Sequence, residues 1–402
     1  MMKRRFESIN QNLIKYQDLW RFEAFALSID SKFPWQHNHA ELCQWLASLT
    51  AEQIECLKAD PASVQDIIVK WLPELEQLAL LSELKPLPLH GLKLQRGLDS
   101  GIPGRKMEQI QSMGEAAILH HQGEEWLEWC SGKGYLGRIL TTQTGQAVTS
   151  FEFQQTLCET GQASADAHNW KMHFIQGDAF DSQVQKIFKS KQHAVALHAC
   201  GDLHVKLLEY GCETRLAAMT VSPCCYHLIQ AKNYQPLSFE AQNSSLILSK
   251  QELRIPLQQT VTGGERVHRH RQQEMVFRLG FDLITKQVLN FKQYQPVPSI
   301  RKSQLSEGFE SLCHWAAEYK GLTLKPDIDF DYFEKRAIER FWQMERLSLV
   351  QLVFQRPLEV WLALDKVLFL ESRGYQVTLS EFCSKSITPR NILICANLKT
   401  AC

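Results

Sequence analysis

What this chain lacks narrows its reading first. It has no surplus of charge: Lys and Arg total 44, Asp and Glu total 44, and the formal net charge is zero. That balance argues against a strongly basic nucleic-acid module, while leaving room for a local basic patch. No run of about 18 uninterrupted apolar residues occurs, so no membrane span is expected. The richest apolar segment, Leu358–Leu370, carries Glu359, Asp365 and Lys366. A secretory leader is not visible either: Met1-Met2-Lys3-Arg4-Arg5 is basic but turns polar at once, at Glu7, Ser8, Asn10 and Gln11. Cysteine is thin, 12 in 402 residues. That is too sparse for a disulfide scaffold, and the expectation is reduced thiols in a cytoplasmic protein. Repeats and low-complexity tracts are missing too.

What remains is ordinary globular composition, 44% hydrophobic and 22% charged. At about 100–200 residues per domain the length allows two or three domains. Residues 1–90 read as a helical domain. Leu42, Trp45, Leu46 and Leu49 recur at helical spacing. Thr50-Ala-Glu-Gln53 fits a capping box, and Asp60-Pro61 fits an N-cap followed by proline. Residues 91–105 are a glycine-broken linker. From Lys106 the chain alternates strand and helix, with strand-like runs at Glu125–Cys130, Ala147–Phe153, Phe174–Ile175, Ala194–His198 and Leu216–Val221. Such alternation predicts a doubly wound α/β domain with a parallel sheet. Later, Ser245–Leu248 and Leu253–Pro256 look extended, and Gln272–Ile284 looks helical. Helices are expected at about 303–319, 329–348 and 358–372. Two last strands, Tyr375–Leu379 and Ile392–Ala396, should join the sheet. The α/β domain is therefore expected to comprise 106–231 and 351–402, with 232–350 a mainly helical insertion before the last two strands.

The chemistry should lie at the carboxyl ends of the strands, where open parallel sheets bind ligands. The first strand end is Glu128-Trp-Cys130-Ser-Gly132-Lys133-Gly134, a glycine turn opening a helix. Glycine permits positive φ and close approach of a ligand to backbone, and the helix N-terminus offers free N–H groups. Glu152, 20 residues after Gly132, ends the second strand and can accept both hydroxyls of an adenosine ribose. Gly177-Asp178-Ala179-Phe180 follows the third strand; an acid there can accept from an adenine amino group beside an apolar neighbour. Gly132-x-Gly134-x-x-Gly137 also spells a dinucleotide fingerprint, so the glycines alone leave a nicotinamide cofactor open. The fourth and fifth strand ends are His198-Ala-Cys200-Gly-Asp202 and Ser222-Pro-Cys224-Cys225-Tyr-His227.

At these two segments the chain resembles the class I S-adenosylmethionine-dependent methyltransferases. Within them it resembles the methyltransferase-domain-32 group, which includes the methyltransferase-like 25 proteins and the methyltransferase domain of the glutathione S-transferase C-terminal-domain-containing protein. The Gly-Lys-Gly turn, the His-x-Cys-Gly-x-Leu and Pro-Cys-Cys-Tyr segments and Pro389-Arg390-Asn391 stand in that group's order. The chain is more faintly similar to a family of transfer-RNA 2′-O-methyltransferases with paired cysteines at the same place, but lacks that family's N-terminal zinc-finger cysteines. The resemblance implies a Rossmann-like class I methyltransferase sheet and S-adenosylmethionine as cofactor. It places Glu128, Cys130, Gly132, Lys133 and Gly134 around the methionine part, Glu152 at the ribose, and Asp178, Ala179 and Phe180 by the adenine. His198 and Cys200 would lie under the sulfonium and the acceptor. Cys130-Ser131 departs from the small Gly-Ala found in many relatives and crowds the turn.

His227 or Asp202 is a candidate general base, with His198, for a hydroxyl or amine acceptor. No metal is expected: adjacent cysteines rarely both bind one ion well, and no Cys-x2-Cys pair exists. The cysteines read better as small residues packed beside a cofactor than as nucleophiles. Arg266, His268, Arg269, His270 and Arg271 suit a solvated helix face or phosphate contacts. The expected acceptor is RNA or protein, with a small molecule not excluded and no membrane partner. The rival readings are a nicotinamide-dependent oxidoreductase and a non-catalytic RNA- or protein-binding module on a methyltransferase scaffold.

Overall fold

The computed structural model describes residues 1–30, 32–95, 97–98, 102–197, 199–258 and 265–399. Its internal contacts form two compact units: one of 1–14, 80–257 and 356–402, the other of 15–79 and 258–355.

The first unit holds a seven-stranded sheet. Its strands are β1 (Glu125–Trp129), β2 (Val148–Glu152), β3 (Met172–Gln176), β4 (Gln192–Ala196), β5 (Ala218–Val221), β6 (Tyr375–Glu381) and β7 (Ile392–Leu398). Each departs from its expected run by no more than two residues at either end. The order is β3-β2-β1-β4-β5-β7-β6. The first five strands pair in parallel, and β7 runs antiparallel to both β5 and β6. Every residue of β4 and β5 is buried, as parallel strands covered on both faces require. Met107, Ile110 and Met113 of the helix Gly104–Leu119 pack with Leu136, Ile139 and Leu140 of the helix Tyr135–Thr144 and with Val148, Met172 and Val195 of the sheet. The order reverses between β1 and β4, so the ends of β1 and β4 flank the crevice where such sheets take ligands.

The second unit is helical. Both N-terminal start signals form as expected: Thr50 and Gln53 cap reciprocally, and the Asp60 side chain accepts from Ser63 N with Pro61 opening the helix. Val276, Phe277, Leu279, Phe281, Phe309, Leu312 and Phe341 share one apolar core. A buried ion pair sits in it: Arg340 Nη1 lies 2.7 Å from Asp282 Oδ2, and Arg340 also donates to Ser28 Oγ and Leu279 O.

Three expectations need correction. The helix expected at about 303–319 is two, Lys302–Ser306 and Phe309–Lys320, parted at Gly308, whose φ is 94°. Ser245–Leu248 and Leu253–Pro256 are not strands; Glu252–Leu257 is a 3₁₀ helix. Ser249 N donates to Glu252 Oε2 (2.7 Å) and Glu252 N donates to Ser249 Oγ (3.2 Å), a reciprocal cap that starts the turn. The helices expected at 329–348 and 358–372 are one helix, Phe330–Ser372, with Pro357 inside it. Proline removes one ladder bond there, but Val353, Phe354, Leu358, Val360, Trp361 and Leu362 are all buried, and that packing outweighs the loss. By length and composition this helix is apolar enough to cross a membrane, and 83% of the qualifying window is buried within the protein.

Candidate active site

The glycine turn after β1 is built from three left-handed residues: Cys130, Gly132 and Gly134 have φ of 55°, 59° and 71°. The two glycines among them stand in different surroundings. A Cβ on Gly134 would stand 2.5 Å from the Phe174 ring, whereas a Cβ on Gly132 would meet nothing within 4 Å. Gly132 therefore faces open space, the cradle a ligand could occupy. Beside it, the Ser131 hydroxyl oxygen is buried without a hydrogen-bond partner. A buried hydroxyl left unpaired is uncommon and marks where a ligand can complete the bonding.

Glu152 reaches this turn from β2. Its Oε2 accepts from Gly132 N (2.9 Å) and its Oε1 from Gln154 N (2.9 Å). A carboxylate has about four lone-pair sites, so both oxygens keep acceptor capacity. Glu128 lies beneath the turn. Its carboxylate is buried, accepting from Gly137 N (3.0 Å) and Ser150 Oγ (2.7 Å). Burial pushes its carboxyl up to about 7, against those hydrogen bonds. Its partners are thus a hydroxyl on β2 and a backbone N–H in the first turn of the helix Tyr135–Thr144. Lys133 contributes its carbonyl to Arg138 Nη2 (3.3 Å).

After β3, Asp178 is exposed and its Oδ1 accepts from Phe180 N (2.9 Å). Ala179 is buried, while Phe180 leaves 40% of its surface open and Phe153, just past β2, leaves 64%. Two exposed aromatics at neighbouring strand ends are suited to a flat apolar ligand.

His198 lies outside the described residues. Cys200 and Cys224 form an isolated parallel bridge past the ends of β4 and β5, with their sulfurs 3.4 Å apart. Cys225 joins them, all three sulfurs lying within 4.8 Å of one another. The Cys225 thiol is held far down by hydrogen bonds from Cys200 and Cys224, then by the charges of Arg390 and His227. The Cys224 thiol is pushed up by its hydrogen bonds with Cys200 and Cys225. Cys130 stands nearby; burial, Glu152 and Cys200 raise its thiol to about 12.

The two candidate bases differ in place. His227 adjoins the sulfurs; its Nδ1 is buried without a partner, and burial, then the charge of Arg254, lowers its pKa. Asp202 opens the helix Asp202–Thr214, where its Oδ2 accepts from Gln230 N (2.8 Å). It lines a hollow of about 300 Å³ with Tyr234, Leu237, Phe369 and Arg373. Gly132, Glu152, Asp178 and Cys200 are not part of that lining. The structure thus gathers Gly132, Glu152 and Cys130 at one turn, sets Asp178 and Phe180 on the adjacent strand end, and turns Asp202 toward a separate hollow. The basic residues of 266–271 begin the helix Glu265–Gln287 in the other unit.

Sequence reasoning missed a buried polar network behind the sulfurs. Lys366, fully buried, donates from Nζ to Tyr234 Oη (3.0 Å) and Leu362 O (3.0 Å). Its ammonium also faces the Tyr226 ring, 5.6 Å from the centroid. Asp365 accepts from Tyr234 Oη, from the backbone N–H groups of Leu237 and Ser238, and from Ser238 Oγ. The signal was there: Asp365 and Lys366 are charges inside an apolar helical run, where a charge needs a partner.

Residues 105–232 match a family model described as a methyltransferase domain. Over 129 residues the chain is 26% identical to the Xenopus laevis glutathione S-transferase C-terminal domain-containing protein, which is 31% of this chain and 20% of that one. The match thus spans about a fifth of that relative. Among solved structures, the Pyrococcus abyssi tRNA (uracil-54, C5)-methyltransferase with S-adenosyl-L-homocysteine is 19% identical, covering 29% of this chain and 28% of its own, at a TM-score of 0.25. The geranyl diphosphate C-methyltransferase from Streptomyces coelicolor A3(2) is 13% identical, covering 37% of this chain and 64% of its own, at 0.24. The sheet has the Rossmann-like order of an open α/β fold, and residues 105–232 within it are similar to a methyltransferase domain. The matching model is the methyltransferase-domain-32 one, the group to which the Pro-Cys-Cys-Tyr and Cys-Gly segments pointed.

Proposed function

We propose that this chain is an S-adenosylmethionine-dependent methyltransferase acting on RNA or another macromolecule in the cytoplasm. The observation that carries the cofactor is the turn after β1: open space over Gly132, an unpaired buried Ser131 hydroxyl, and the Glu152 carboxylate beside both. Glu152 would accept the ribose hydroxyls, Asp178 the adenine amino group, with Phe180 against the ring. S-adenosylmethionine supplies a methyl group made electrophilic by its sulfonium. The protein's own share is alignment, which needs no catalytic triad. A base is needed only where the acceptor must lose a proton, and His227 is placed for it better than Asp202. Large helical regions flanking a small domain support a macromolecular acceptor.

Calorimetry with S-adenosylmethionine, S-adenosylhomocysteine and NAD(P) tests the cofactor. Binding of the first two is expected, weakened more than about tenfold in Glu152→Ala, the loss of one charged hydrogen-bonding group. NAD(P) binding without S-adenosylmethionine binding would overturn the reading. Labelled cofactor incubated with RNA and protein extracts from a strain lacking the gene then tests the acceptor. Label in neither pool points to a small metabolite.

A further inference from the structure

The three sulfurs of Cys200, Cys224 and Cys225 have a geometry that packing alone does not explain. In an extended chain the side chains of adjacent residues point to opposite faces. Cys224 and Cys225 should therefore diverge, which is the physical basis for doubting that neighbouring cysteines share an ion. Cys225 escapes that rule because its φ is 47°. The left-handed backbone swings its side chain back, and its sulfur comes within 4.8 Å of both others. Few non-glycine residues take that conformation, and those that do tend to cluster at functional sites. Cys200 arrives from the other strand end, held opposite Cys224 by the parallel bridge.

We propose that Cys200, Cys224 and Cys225 bind one zinc ion as a three-thiolate site with an open fourth position. Three thiolates select soft ions over magnesium or calcium. Zinc–sulfur bonds of about 2.3 Å in tetrahedral geometry place sulfurs roughly 3.8 Å apart. The observed 3.4 Å pair and the 4.8 Å limit bracket that value. Cuprous ion also favours three sulfurs, but Cys200 and Cys225 are only half-buried, which leaves room for the fourth ligand that zinc requires. Binding converts thiols to thiolates and releases their protons to solvent. No cysteine is oxidised.

The test uses the full chain, reduced and freed of metal, without S-adenosylmethionine, so that it stands apart from the cofactor reading. Zinc is titrated against a chromophoric chelator, and cobalt(II) is added separately. One equivalent of zinc is expected, with the intense thiolate-to-cobalt absorption of a tetrahedral site. Removing an outer-sphere partner of a bound metal weakens binding about 10–100-fold, so loss of a ligand in Cys200→Ser or Cys225→Ser should cost more than about 100-fold. The exposed Cys56→Ser should bind as the parent does. Circular dichroism of the serine variants separates loss of the site from loss of the fold. Should the Cys200 variant unfold, cobalt absorption of the Cys225 variant decides alone. Absence of stoichiometric zinc with all three thiols titrating as free would overturn the proposal. So would a Cys200–Cys224 disulfide in protein isolated without reductant, or retention of copper(I) but not zinc.

Discussion

At the scale of single residues, two glycines near the candidate site separate strain from space. Gly201, between Cys200 and Asp202, has φ 55° and ψ −127°, and a Cβ there would fall 1.9 Å from Leu228 O. That oxygen is backbone, held in place by the bond it accepts from Asp202 N (3.1 Å), so it cannot step aside as a flexible side chain would. Gly132 has a similar φ of 59° but nothing within 4 Å of a Cβ. Gly132→Ala should therefore cost only the left-handed backbone, about 1 kcal/mol. Gly201→Ala adds overpacking against fixed backbone and should cost about 3 kcal/mol or more. Urea unfolding of both variants checks this, and equal losses would show that the Leu228 carbonyl yields. The placement of several candidate residues was legible at this scale. Glu128, Gly132, Gly134, Glu152 and Asp178 stand at strand ends because strand and turn are local properties of the chain. The convergence of three sulfurs was not legible, since it depends on the φ of Cys225 and on a bridge joining residues 24 positions apart.

At the scale of elements, helix starts, the stop at Ser372 and the strands could be read, while continuity across Pro357 and the short turn at 252–257 could not. Thr50 and Asp60 cap as their patterns predicted because a cap is made within four residues. Ser249-x-x-Glu252 is the same pattern, but Leu253–Pro256 after it is apolar enough to look extended. Pro357 shows the opposite failure, a local break signal overruled by tertiary packing along a 43-residue helix. The 3₁₀ turn gives a direct measurement. Ser249→Ala removes the acceptor for Glu252 N while Lys250 Nζ still holds Ile229 O at 2.7 Å. A stability loss of about 1 kcal/mol is expected, the usual worth of a cap. Ser249→Asp should restore most of it. If alanine is neutral and aspartate gains nothing, the turn is held by its buried Leu253 and Ile255 instead.

At the scale of the whole molecule, the chain passes between its two units at 14/15, 79/80, 257/258 and 355/356. Neither unit is a continuous stretch, and no composition shift marks these crossings, because they are defined by contacts between distant segments. The first unit is closed by its last strands, since β7 pairs with β5, and by the buried group of Tyr234, Asp365 and Lys366. That group has a pH signature. Burial lowers the Lys366 ammonium from its ordinary value of 10.5 to about 8, with Asp365 pulling the other way. Between about 8 and 10.5 the unfolded chain holds this proton and the folded chain does not, so the stability contributed by this residue rises with pH across that window. Below about 8 the buried charge carries its full penalty. Lys366→Met keeps the Tyr234–Asp365 bond and removes the titrating group. The stability difference between parent and variant should therefore shift toward the parent as pH rises from 8 to 10, by up to about 3 kcal/mol over the full window. Other titrating groups cancel in that difference. Urea unfolding of both proteins at several pH values provides the measurement. A constant difference would mean that Lys366 is charged alike in both states, kept ionised by Asp365 rather than discharged by burial.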